Sequence, residues 1–142
     1  CGHGNLLCAN LQLHRCLNRT DEDVHLNLLP MFHVGGLMMT LGSFHAGAMN
    51  VNMSKFDAEK AVELIQDKKV TIMFDFSPIL GSILEQHEKS GQAIETLKAV
   101  IGLESPETID KYKQMTDGTY CRLNVQTETS CLATVSVYTQ RL

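Results

Sequence analysis

The chain has 142 residues, 44% of them hydrophobic and 20% charged, and its 12 basic and 16 acidic side chains give a formal charge of −4. This composition suits a globular domain with a real core rather than a disordered chain, and the acid excess without a Lys/Arg run argues against duplex nucleic acid, whose binding rests on neutralising phosphates. No apolar run reaches the roughly 18–20 residues of a membrane span, and five cysteines without a CxxC pair do not read as a disulfide framework, so a reducing cytosol is the expected compartment.

In chain order, Cys1-Gly2-His3-Gly4 lacks the basic and apolar segments of a signal peptide. A helix with Leu6, Leu7, Leu11 and His14 at helical spacing follows directly. Val24 to Leu29 is a strand closed by Pro30, and a Gly-containing helix over about 33–45 places Leu37, Thr40, Leu41 and Phe44 on one stripe. Ala48 to Met53 alternates as a short strand. Asp57 is placed to cap the next helix, whose Ala58, Ala61, Val62 and Ile65 recur at i, i+3, i+4 and i+7. Val70 to Phe74 is a continuous apolar run, the pattern of a buried parallel strand. Ser77-Pro78 then predicts a helix with the hydroxyl at N-cap and Pro at N1, its inner stripe being Ile79, Leu80, Ile83, Leu84 and His87. The unit repeats: a strand at Ala99-Val100-Ile101, a helix from Ser105-Pro106, a strand from Thr119 to Asn124 and a last short strand over 133–138. Strands alternating with helices predict one three-layer α/β domain over 1–142, with a mostly parallel sheet of five to six strands and helices on both faces.

In such a fold ligands collect outside the carboxyl ends of the strands. Leu123-Asn124-Val125-Gln126-Thr127-Glu128-Thr129-Ser130 runs from a strand into hydroxyls around one carboxylate, a donor set suited to a phosphate oxygen and Mg²⁺. His3, Cys8, His14 and Cys16 match no common zinc spacing. His25, His45 and His87 read as structural, and Met31, Met38 and Met39 as core filler.

Four segments in order carry a resemblance. Leu29-Pro30-Met31-Phe32-His33-Val34-Gly35-Gly36-Leu37, Phe56-Asp57 through Pro78, Leu97 to Gly102, and Gln126-Thr127-Glu128-Thr129-Ser130 resemble the successive motifs of adenylate-forming (AMP-binding) enzymes, nearest to fatty-acyl- and aryl-CoA synthetases. His3 to Leu7 is similar to the helix after their phosphate loop. The resemblance implies a ligase that activates a carboxylic acid with ATP and Mg²⁺ as an acyl-adenylate and passes the acyl group to coenzyme A. It implies Thr127 on the α-phosphate and Glu128 on Mg²⁺, with His33 beside the reacting carboxylate. Phe32, Val34, Gly35 and Phe76 would line the acyl pocket. Gly102, Leu103, Glu104, Asn124, Val125 and Gln126 would flank the nucleotide. The family's phosphate loop is expected before Cys1 and its Lys-bearing C-terminal domain after Leu142. The chain thus reads as an internal piece of a larger domain, inactive by itself.

Two departures from the family pattern stand out. Asn124-Val125 stands where an aromatic-Gly pair is usual, removing a π-face for adenine, and Leu103 replaces a second small residue after the strand. These favour an alternative: an inactive relative or binding module that keeps the fold without a competent nucleotide site. An unrelated doubly wound domain would call for a glycine fingerprint after the first strand, and none is present.

Overall fold

The computed structural model describes residues 2–138; Cys1 and residues 139–142 lie outside it. The elements are α1 (His3–Leu17), β1 (Val24–Asn27), α2 (Val34–Ala46), β2 (Met49–Asn52), α3 (Ala58–Lys68), β3 (Ile72–Phe76), α4 (Ile79–Ser90), β4 (Ala99–Leu103), α5 (Pro106–Met115) and β5 (Thr119–Gln126). A 3₁₀ turn (Thr127–Thr129) and β6 (Cys131–Tyr138) follow. The sheet order is β2-β1-β3-β4-β5-β6, parallel throughout except for the antiparallel β5–β6 pair. The expected α/β class, strand content and two-faced helix cover are what forms.

Alternation along the strands builds the two cores. Met73, Val100 and Tyr120 point to the face covered by α3, α4 and α5, where they meet Val62, Leu80, Ile83 and Ile109. Ile72, Phe74, Ile101 and Cys121 point the other way, onto Leu13 and Leu17 of α1 and Met39 of α2. Asp57 caps α3 by accepting the Lys60 N–H at 2.9 Å, and Ser105 caps α5 by accepting that of Thr108 at 3.2 Å, with Pro106 in the first turn.

Four local expectations are corrected. In α2 the buried stripe is Gly35, Gly36, Met38, Met39, Thr40, Gly42 and Ser43, so Leu37 and Phe44 face outward. At Gly35 and Gly36 the first turn of α2 lies too close to its support for a side chain, while Met38 and Met39 fill the core further along. A Cβ on Gly36 would come within 2.5 Å of the Pro30 carbonyl oxygen, and one on Gly35 within 2.9 Å of the Phe74 ring. In α1 the core takes Ala9, Asn10, Leu13 and Leu17, leaving Leu7 and Leu11 exposed. Before α4, Pro78 and not Ser77 occupies the N-cap, with no side-chain bond there; the Asp75 carboxylate accepts the Leu80 N–H instead. Met31, expected as filler, is partly exposed, with its sulfur near Asn27 and Thr40.

At the amino ends of the strands, Asp23, Thr71 and Lys98 immediately precede β1, β3 and β4. Asp23 Oδ1 accepts the Thr71 hydroxyl at 2.7 Å and pairs with Lys98 Nζ at 2.8 Å, while Oδ2 accepts the Thr20 N–H at 2.8 Å. Burial pushes this carboxyl up, but Lys98, Thr71 and the Thr20 amide together hold it below the usual carboxylate range. A depressed carboxyl stabilises the fold above its unfolded pKa, and that contribution drains away as pH falls through the folded value. Asp23→Ala should therefore cost about 2–4 kcal/mol in urea unfolding at neutral pH and flatten the acid limb of the stability curve. An unchanged acid limb would count against this role.

Candidate functional site

Because β1, β3, β4 and β5 run parallel, the segments that follow them emerge on one edge of the sheet. His33 caps α2: its Nδ1 accepts the Gly35 N–H at 3.2 Å, which leaves Nε2 as the protonated nitrogen of the neutral ring. Phe32 beside it is 94% exposed and lines a recess of about 370 Å³ with Leu29, Pro30, Met53 and Phe56. Phe76, at the end of β3, is half-buried and meets Phe74 edge-on at 5.2 Å.

Gln126, the last residue of β5, and Thr127, Glu128 and Thr129 after it are all exposed. Their 3₁₀ turn is closed by Thr129 Oγ1, which donates to the Gln126 carbonyl at 3.0 Å, and by the Ser130 N–H, which donates to that of Thr127 at 3.1 Å. Ser130 (φ 57°) and Cys131 (φ 90°) are both left-handed, a conformation that resists a side chain. Glu128 and Thr129 open onto a second recess, of about 190 Å³, whose other wall is Asn5, Cys8 and Gln12 of α1. Successive exposed oxygens in this place are the donors a hard cation with its phosphate takes.

The two recesses share no lining residue. What joins the predicted segments is α2: Val34 and Val125 pack against the same small cluster, Ala9, Met38 and Cys131. Asn124 is exposed in β5, paired with Thr134 of β6; the register shifts between Asn124 and Val125, and Val125 is not left-handed. Adenine stacking finds no aromatic at this position. Gly102 lies buried in β4, where a Cβ would overlap the Asp75 carbonyl. Leu103 is half-buried and its carbonyl accepts the Ser77 N–H at 3.1 Å; Glu104 is 6% exposed.

Sequence reasoning missed Asp75, Tyr120 and the α1 side chains of the second recess. Asp75 is fully buried; burial first, then the neighbouring Glu104, push its carboxyl up to about 7 against the bonds from Leu80 and Tyr120. The available signal was a carboxylate one residue past an apolar strand run, where a charge needs a reason.

A family model for AMP-binding enzyme matches residues 1–141. Among curated proteins, the 2-succinylbenzoate–CoA ligase of Bacillus cereus (strain Q1) is 34% identical over 70 residues, 49% of this chain and 15% of that protein. Among solved structures, one named as a long-chain-fatty-acid CoA ligase from Rhodopseudomonas palustris superposes with a TM-score of 0.90 at 39% identity, covering 96% of this chain and 35% of that one. An O-succinylbenzoate coenzyme A synthetase of Bacillus subtilis, in complex with AMP, shares the fold with a TM-score of 0.81 at 20% identity over 94% of this chain and 34% of its own. The chain thus spans about a third of these solved relatives.

Proposed function

The chain belongs to the AMP-binding enzyme family, and from that premise we propose that the protein it comes from is an ATP-dependent acyl-CoA synthetase. The carboxylate of a small acid attacks the α-phosphorus of ATP and pyrophosphate leaves; the coenzyme A thiol then attacks the acyl carbonyl and AMP leaves. Such chemistry is governed by positioning and charge neutralisation. Glu128 would hold Mg²⁺, Thr127 would bond the α-phosphate and Gln126 would border the nucleotide. His33, with its proton on Nε2, would face the reacting carboxylate. The apolar recess by Phe32 would take the acyl or aryl group; Val34, Gly35 and Phe76 do not line it, and Gly102, Leu103 and Glu104 would set the nucleotide's other side.

The observation that carries this reading is the exposed Thr127-Glu128-Thr129 turn on the edge that also carries His33. Within the described residues no helix is long and apolar enough to cross a membrane; a cytosolic enzyme is part of the proposal. A chloroplastic or peroxisomal relative in Arabidopsis thaliana makes an organelle the other compartment to test. The 142 residues alone are expected to be inactive, since they do not bring the family's phosphate loop or its Lys-bearing domain. The purified chain, given ATP, Mg²⁺ and a panel of carboxylic acids, should release pyrophosphate only at background, whereas the intact protein should release it in proportion to acid. Turnover by the chain alone would refute its inactivity. A silent intact protein would leave the second reading, a relative that lost its nucleotide site, which Asn124-Val125 and Leu103 favour.

A further inference from the structure

Asp75 joins four elements at the carboxyl edge. Its Oδ1 accepts the Leu80 N–H of α4 at 3.0 Å and its Oδ2 accepts the Tyr120 hydroxyl of β5 at 3.3 Å. On β3 it is register partner to Gly102 of β4, whose missing side chain lets the Asp75 carbonyl close onto it. Two residues further on, Glu104 turns back into the same buried region. Its Oε1 accepts the Ser105 N–H at 2.9 Å, and its Oε2 is buried with no hydrogen-bond partner. Neighbouring carboxyls shielded from water disfavour a second negative charge.

We propose that Asp75 is a positioning residue for the Gly102-Leu103-Glu104 turn and acts as a proton-gated clasp. With a proton on Asp75 the turn lies closed over it; when Asp75 loses that proton beside Glu104, the two carboxyls repel and the turn loosens. The titratable groups acting on Asp75 are Glu104 after β4 and Tyr120 on β5, and α4 contributes the Leu80 amide. Tyr112 of α5 stands edge-on to Tyr120 but gives its hydroxyl to Leu97, and Arg122 acts on Tyr120. The upward push on Asp75, to about 7, puts the change near neutrality. Its sign is the reverse of that for Asp23: a carboxyl raised in the folded state loses stability as pH climbs from the unfolded value to the folded one. That the turn borders a nucleotide rests on the reading above; the clasp does not.

The test is amide NMR of the 142-residue chain from about pH 5.5 to about pH 8.5, the span around the raised carboxyl, with no nucleotide present. The Gly102, Leu103, Glu104 and Ser105 signals should move together with a midpoint near 7. Asp75→Asn should abolish the titration, and Glu104→Gln should keep it but shift the midpoint toward the ordinary carboxylate range. Static signals in the wild type, a titration surviving Asp75→Asn, or a midpoint that Glu104→Gln leaves in place would each overturn the proposal. Should Asp75→Asn fail to fold, the Glu104→Gln midpoint decides by itself. A failure of the ATP chemistry would not alter any of these readings.

Discussion

Gly102→Ala is expected to remove about 4 kcal/mol or more of stability, which for a domain of marginal stability amounts to loss of folding. The cause is backbone against backbone. The new Cβ would overlap the Asp75 carbonyl, and neither side can give way, because β3 and β4 are locked in register from Ile72↔Ala99 to Phe76↔Leu103. Gly81→Ala is the matched control: in α4 its nearest neighbour would be Thr108 at 3.9 Å, an ordinary contact. There the substitution should gain about 0.5–1 kcal/mol from helix propensity. Urea midpoints of the two variants should move in opposite directions; equal shifts would refute the steric account.

The largest expected effect on chemistry belongs to Glu128→Gln in the intact protein. If Glu128 holds Mg²⁺ as proposed, removing that ligand should slow adenylation by about 100-fold or more, with a stability change within about 0.5 kcal/mol because the side chain is exposed. Thr127→Val should act in the same direction by replacing the proposed phosphate donor with a methyl of similar volume. Pyrophosphate release and thermal unfolding measured on the same preparations separate the two effects. Wild-type rates in Glu128→Gln would remove the proposed metal role.

Strand and helix identities were legible where local pattern decides. The alternation of Ile72, Met73 and Phe74 between two cores, and the caps at Asp57 and Ser105, follow from spacing and hydroxyl or carboxylate chemistry over a few residues. The face of α2 was not legible, because apolarity counts Leu37 and Phe44 while the close approach of the Pro30 carbonyl and the Phe74 ring selects Gly36 and Gly35. The cap of α4 was misplaced for a related reason: Asp75 reaches forward five residues from inside a strand, outside any capping pattern. Likewise, the Asp23–Thr71 bond spans 48 positions and leaves no periodic trace. For the candidate site, the motif order located the exposed 127–129 turn and His33 on one edge, whereas the α1 wall of Asn5, Cys8 and Gln12 appears only after folding.

The Asp23 tie sits at one end of the strands and the Thr127-Glu128 turn at the other. The eight residues of β5 separate them along the sheet, roughly 26 Å at the usual rise, and changes that far apart without shared partners combine additively. Durability and chemistry can therefore drift independently in this domain. Reinforcing the Asp23 end leaves the opposite rim free to change its side chains, and a rim that has lost the proposed nucleotide site can persist as a sound scaffold.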